Sequence, residues 1–463
     1  MLAHAYPPQK LRSGYHTDSA RIAPLCSCCA YGVSREAHLS FQTRLQEIRS
    51  GFERSFWVAN IAELFERVSY YGTSAVLAIF LHERLQLPLG KTTTLLGTIG
   101  FVVWFLPVFG GALADRFGFR KALLFAYGVM SIGYFLLGSL DKPWMMSLFP
   151  SVPTYWRVFA ILLIPALGPG LVKPCVAGTT ARASTENVRS IGYSIYYTLV
   201  NVGGALGPLV GSVTRNTLGI EAVFRVCALS VFLMFWFTLF FFREPSKAGE
   251  TKPSSVLAVA RNLLVVLTNI RFVIFLLIFS GFWIVFWQEF ISVPLFMRTY
   301  VDPNLNVDRY LSIGPIVVMT CTILVSFLTR RIPALRTMMT GVLITGLGCI
   351  FLAVYPSRAG LVACLIVIAI GEITQSPRYY EYISRLAPPG QQGLFMGYAF
   401  LPIAIGYFIA GKLSGLLLHH YGEVVHQPQI MWWWITAVGV ATAVLLYFYD
   451  LLLRPPVAST SQS

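Results

Sequence analysis

Stretches of about twenty apolar residues follow one another along almost the whole chain after residue 55. Each is long enough to cross the roughly 30 Å hydrocarbon core of a bilayer as a helix. Inside lipid every backbone N–H and C=O must find its partner within the protein, which leaves helices or closed barrels. These stretches are too long and too continuously apolar for barrel strands. Composition agrees: 12% of the residues are charged, half the roughly 25% of soluble domains. The expected class is an all-α membrane protein. Its twelve spans fall at 56–81, 92–115, 121–140, 155–181, 190–214, 219–242, 270–297, 310–329, 335–355, 359–386, 392–418 and 430–453. An even number of spans puts both termini on one side.

The formal net charge is +15. On a soluble chain that excess would raise the question of nucleic acid. Here it is distributed by side, with Arg116, Arg120, Lys121, Arg243, Lys247, Lys252, Arg330, Arg331 and Arg336 in the loops that share a side with the termini. That bias orients the bundle with both termini cytoplasmic and calls for no nucleic acid partner. Cys175, Cys227, Cys321, Cys349 and Cys364 lie in apolar spans as small hydrophobes. Cys26, Cys28 and Cys29 cluster near the N-terminus without a second ligand pair at zinc spacing. No metal and no cofactor is expected.

Residues 1–51 read as a basic cytoplasmic tail without the apolar core of a cleavable signal, with 37–54 able to form an amphipathic surface helix. A six-helix bundle over 52–242, a cytoplasmic linker over 243–269, a second bundle over 270–453 and a tail over 454–463 complete the division. A weak repeat supports it. Gly111-Ala-Leu-Ala-Asp-Arg-Phe-Gly-Phe-Arg-Lys121 follows the second span, and Phe327-Leu-Thr-Arg-Arg-Ile-Pro-Ala-Leu-Arg336 follows the eighth. Duplicated bundles around a central site are a transporter architecture. The first copy resembles the loop motif of the major facilitator superfamily, Gly-x-Leu-Ala-Asp-Arg-x-Gly-x-Arg-Lys. The resemblance implies the major facilitator fold, twelve transmembrane helices in two six-helix bundles.

A charge at mid-bilayer costs several kcal/mol, so intramembrane charges face a partner or a cavity. The first span places Glu63, Glu66, Arg67, Tyr70, Tyr71 and Ser74 on one helical face. Two carboxylates against one guanidinium leave a negative charge that a proton can neutralise, which is what proton coupling requires. The alternative is a static ion pair that fixes helix packing. The fourth span carries Lys173 beside Gly168, Gly170 and Pro174, where a broken helix would let backbone approach a ligand. The tenth carries Glu372 after a long apolar run, followed by Gln375 and Ser376. Glu372 is the expected acidic partner of Lys173 from the other half. In the fifth span the glycines suit close helix packing, while Asn201 could bond a ligand or another helix. The seventh offers Trp283, Trp287, Gln288 and Glu289, the two Trp either lining a cavity or forming an interfacial belt. Basic Arg67 and Lys173 with acidic Glu372 suit a zwitterion, whose two ends must each be compensated on leaving water.

The chain resembles the proton-dependent oligopeptide transporter family, a branch of the same superfamily, over roughly 52–453. The residues that carry this are Glu63-x-x-Glu66-Arg67 with Ser69-Tyr-Tyr-Gly72, Gly170-x-Val-Lys173-Pro174, Asn201-x-Gly-Gly with Gly207-Pro208, Gly371-Glu372 with Ser376-Pro377, Leu386-Ala-Pro-Pro389 and Gly393-x-x-Met-Gly397. The resemblance implies import of di- and tripeptides by alternating access, driven by a proton gradient, by a monomer in the plasma or inner membrane. Glu63, Glu66 and Arg67 would handle the proton. Arg67, Lys173 and Asn201 would meet the peptide carboxylate and Glu372 its amino end. Tyr70, Tyr71 and Trp283 would line the pocket, with Gln288 and Ser376 also in the binding set.

The sequence departs from the family at several points. Many members have Arg in place of Ser74 and an acid in place of Trp287, and in the family those two pair as an outer gate. Here both charges are missing together, and Glu289, two residues on, faces another direction. Ala399 replaces a frequent Trp, and Arg378-Tyr379-Tyr380 replaces small residues. These changes keep a second substrate class open, another small organic solute such as an anion or amphiphile. A non-transporting sensor has no use for the Glu63/Glu66/Arg67 group. No nucleophile–base pair suggests an enzyme.

Overall fold

Apolar residues without interruption leave backbone bonding to the helix itself, and helix fills every expected span in the computed structural model. The structure describes residues 50–148, 150–245, 268–386 and 392–453. The cysteine cluster, most of the expected surface helix and linker, the Leu386-Ala-Pro-Pro389 turn beyond Leu386, and the last ten residues lie outside them.

The spanning helices are α1 (Arg54–Ile79), α2 (Leu89–Phe105, continued as Pro107–Phe117), α3 (Phe119–Leu137), α4 (Thr154–Arg182), α5 (Arg189–Leu218) and α6 (Ile220–Phe241). The second half holds α7 (Ile270–Phe286, continued as Gln288–Phe296), α8 (Ile313–Thr329), α9 (Ala334–Gly348), α10 (Arg358–Leu386), α11 (Leu401–Leu417) and α12 (Ile430–Leu453). Among the described residues nine helical stretches are long and apolar enough to cross a membrane, ten with the two parts of α2, which bend by 42°. The two left over are α1 and α5. The first carries Glu63, Glu66 and Arg67, and the second is rich in Tyr, Ser, Thr and Asn. Sequence polarity therefore marks the two helices with the most to do besides facing lipid.

The described residues from Gly51 to Leu453 form one compact unit. At the end where the helical unit begins and finishes, Gly118 (φ +89°) turns the chain from α2 into α3. Glu244 caps α3 there, accepting from Phe119 N at 2.7 Å and Arg120 N at 3.0 Å, a carboxylate where the helix dipole favours one. Arg182 reaches back to Asp115 at 2.8 Å. These bonds show what the basic loop motif does locally: it ties α2, α3, α4 and the chain after α6 together.

The opposite, distal end is where the halves meet most closely. On α2 and α11, Gly97 and Gly411 face each other so tightly that a Cβ on Gly97 would lie 2.9 Å from Gly411 Cα. Two charge pairs cross the seam beyond them. Arg298, after α7, binds Glu83, after α1, through two parallel bonds of 2.5 and 2.8 Å. Arg215 of α5 lies 3.0 Å from Asp308 in the short helix Val307–Tyr310, and also bonds Asn306. Asp308 is fully buried.

Candidate functional site

The site begins on α1, where helical spacing aligns three charges. Glu63, Glu66 and Arg67 are all buried. Arg67 Nε lies 2.5 Å from Glu66 Oε2 and 3.3 Å from Glu63 Oε1. Arg67 Nη2, Glu66 Oε1 and both Glu63 oxygens have no hydrogen-bond partner. The group is thus paired in charge but unsaturated in hydrogen bonding. It has room for a proton on a carboxylate oxygen and for an acceptor at the guanidinium. Its wall is built by glycine: a Cβ on Gly203 of α5 would stand 2.5 Å from Arg67 Cβ. The α5 glycines therefore serve packing, letting that backbone cover the charged face of α1. Tyr70 lies under the guanidinium at 5.0 Å and meets Tyr71 edge-on at 5.3 Å. Tyr71 reaches Phe290 of α7 at 6.2 Å, across the seam.

Lys173 is half-buried on α4, its Nζ 3.8 Å from the ring centre of Trp104, a cation–π contact. Two expectations are corrected here. Helix α4 is not broken at Lys173 but runs on through Pro165, Pro169 and Pro174. Its glycines instead admit neighbours, Gly168 taking Met130 of α3 and Gly170 taking Leu106 beside the α2 bend. Nor does Lys173 pair with Glu372. No ion pair involving either is present among the described residues, and Trp104 takes the ammonium instead. Glu372 is half-buried on α10.

The remaining predicted residues divide. Ser376 is half-buried and accepts from Gln375 at 2.9 Å. Asn201 donates to Tyr197 O of its own helix at 2.9 Å, touching no other helix through that bond. Trp283 and Trp287 are buried, so neither belongs to an interfacial belt. Trp283 packs on Gly406 of α11. Trp287 packs at a tilt against Tyr407 at 4.3 Å and Trp104 at 5.6 Å, joining the halves through an aromatic wall. Gln288 is fully buried, and its side chain is bonded within the C-terminal half. Its Oε1 accepts from Ser292 at 2.5 Å and Ser414 at 2.6 Å, stitching α7 to α11. Its place beside Glu289 in the sequence gave no sign of that, because the partner Ser414 is more than a hundred residues away.

Of the departures, Ser74 borders a small cavity of about 60 Å³ between α1, α2 and α4, closed by Tyr407. Tyr379 stacks on Phe279 at 4.4 Å and donates to Ala399 O at 2.7 Å. Arg378 pairs with Glu381 at 2.7 Å and donates to Thr329 O. Only Tyr380 of that trio is exposed. Sequence reasoning missed Trp104, Glu83, Arg215, Arg298 and Asp308. Each sits at a span edge or in an apolar run, and nothing local distinguishes it. Among the described residues no cluster of His, Cys, Asp and Glu could hold a metal ion.

Comparison with known proteins places this geometry. The Multidrug resistance protein MdtH of Escherichia coli O157:H7 is 24% identical over 359 residues, covering 76% of this chain and 83% of its own. A POT family transporter solved in complex with 5-aminolevulinic acid superposes with a TM-score of 0.71 at 17% identity, over 87% of this chain and 97% of that one. A structure reported for substrate recognition in proton dependent oligopeptide transporters gives 0.68 at 18% identity, over 87% and 99%. The family profile of the Major Facilitator Superfamily matches residues 60–401 and 310–463. With that profile matching most of the chain, the chain belongs to the major facilitator superfamily, whose members are transporters and not enzymes.

Proposed function

We propose that this protein is a proton-coupled symporter that imports di- and tripeptides by alternating access. It would act as a monomer in the plasma or inner membrane, with the distal end outside and both termini cytoplasmic. The reading places the chain in the oligopeptide branch, which its motifs resemble and whose fold it shares. The observation that carries it is the α1 group, in which two buried carboxylates share one guanidinium with hydrogen-bonding capacity left over. A permanently ionised group of this composition would bury net negative charge at heavy cost. A proton on Glu66 or Glu63 removes it. When that proton leaves, the freed carboxylate competes for Arg67, and Arg67 loosens its hold on a substrate carboxylate. Proton and peptide then bind together and leave together. Lys173, resting on a π face and not on an acid, is free to exchange that contact for the same carboxylate. Glu372 supplies the complementary charge for the amino end. Tyr70, Tyr71 and the Trp283–Trp287 wall accommodate side chains through apolar area that does not select one shape.

A second reading, proton-driven movement of an aromatic or amphiphilic anion, is favoured by the Trp104–Trp287–Tyr407 wall beside Lys173. The multidrug name of the curated relatives points the same way. Purified protein in liposomes under an inward proton gradient separates the two. Accumulation of labelled dialanine, blocked by dipeptides and tripeptides, supports the first. Proton flux evoked only by non-peptide anions or amphiphiles discards peptide and keeps the carrier.

A further inference from the structure

One buried acid has no part in that cycle. Glu289 lies just beyond the break of α7 at Trp287. It is 4% exposed, and its Oε1 is enclosed without a hydrogen-bond partner. What it faces is backbone, for Oε1 lies 3.3 Å from the place a Cβ on Gly314 would take. Gly314 opens α8. The next residue, Pro315, packs on the α5 backbone, its Cγ 3.2 Å from where a Cβ on Gly204 would stand. The carboxylate therefore sits directly behind the contact by which α8 closes on α5. Asp308, which holds Arg215 across the same seam, is six residues earlier in the chain.

The titratable groups around it are few. On the elements packed against this part of α7, α1 carries Tyr71 near Phe290, α11 carries Tyr407 near Trp287, and the short helix before α8 carries Asp308, already committed to Arg215. Helix α10, in the same half, carries Cys364 and Glu372. No cation pairs with Glu289 among the described residues. An ionised carboxylate in such a place costs several kcal/mol. Parting α8 from α5 would admit water and remove that cost.

We propose that Glu289 is a gating carboxylate: it takes a proton from the distal aqueous phase when the distal end closes and returns it when that end reopens. The proton is not carried across. It makes closure pH-dependent without adding to the coupling stoichiometry assigned to α1. Closure binds one proton, so above the range where the open form ionises the closed-to-open ratio falls about tenfold per pH unit. The inference rests on the alternating-access reading but not on peptide as the substrate.

The test uses the full chain in liposomes without substrate, with spin labels at Asn216 and Asn304, at the distal ends of the two halves. Their distance distribution is followed from pH 5 to 9. The open fraction should rise with pH in the wild type and stay low and flat in Glu289→Gln, while Asp308→Asn should be more open throughout yet keep the slope. Glu289→Asp should restore the slope. If the amide variant does not fold, Glu289→Met serves, with the same flat response expected. An unchanged pH slope in the folded Gln or Met variant overturns the proposal. Dialanine uptake measured on the same preparations keeps the two readings apart: a flat Glu289→Gln response with no peptide uptake by the wild type discards peptide alone.

Discussion

The Arg215–Asp308 pair offers the sharpest test of how the distal end is held. Asp308 is fully buried and Arg215 is about 10% exposed, with 3.0 Å between them across the seam. Asp308→Asn keeps shape and volume and removes one charge. Breaking a buried pair from one side typically costs about 3–5 kcal/mol, because the remaining ion is left uncompensated. Part is retained here through the bond from Arg215 to Asn306. The cost falls on the closed form alone, since opening returns Arg215 to water. A differential of roughly 2–3 kcal/mol then shifts the closed-to-open ratio about 30- to 150-fold. A closed state favoured a hundredfold would become about equally populated with the open one. The Asn216–Asn304 label distance reads this directly as a new long-distance population. Reversing the pair, Arg215→Asp with Asp308→Arg, should recover most of the closed form. An unchanged distribution in folded Asp308→Asn protein would refute the reasoning and leave closure to Glu83–Arg298 and the helix contacts.

Three further outcomes follow from the site and the seam. Glu66→Gln should abolish accumulation driven by a proton gradient while sparing counterflow, because exchange of bound solute needs no net proton movement; surviving gradient-driven accumulation assigns coupling elsewhere. Lys173→Ala should weaken solutes with a free carboxylate about tenfold or more relative to analogues lacking it, on the scale of one charge-assisted hydrogen bond, and equal losses in competition assays would mean that Lys173 acts in gating. Gly411→Ala puts a Cβ 2.6 Å from Gly97 Cα, a clash only helix separation relieves, at about 1–3 kcal/mol; the label distance should lengthen.

Much of this was legible in the chain before any coordinates. Helix in membrane is set by composition over twenty-residue windows, so the spans were within reach to a few residues. The α1 group was legible because all its members lie within five residues of one helix, where spacing alone fixes the face. The gaps have one physical cause, that tertiary partners are chosen across the whole chain. Lys173 was expected to meet an acid because charge attracts charge, yet an aromatic ring is the nearer partner in this conformation, and Trp104 looked like any other apolar residue of its span. Gln288 looked like a ligand residue because it is polar in a membrane, but two serines satisfy it. The prolines of α4 suggested a break, but the helix runs through all three, and Met130 and Leu106 pack at the glycine positions beside them.

The missing charges at Ser74 and Trp287 acquire a meaning beside the distal pairs. A carrier of this design must hold one end shut while the other is open, and charge pairs near the centre of the seam do so at the expense of the site. Here the central positions are given to a small cavity and an aromatic wall, and the charges that cross the seam stand farther out, at Glu83–Arg298 and Arg215–Asp308. Closure and recognition are then carried by different residues. The N-terminal half offers Arg67 and Lys173, and the C-terminal half offers Glu372, which has no ion-pair partner among the described residues. A zwitterion lying across the seam would bring Glu372 a cation and give Lys173 a carboxylate in place of the Trp104 ring. That complementarity favours a solute charged at both ends over one charged at a single end, and it makes the competition of dipeptides against simple anions the most informative comparison.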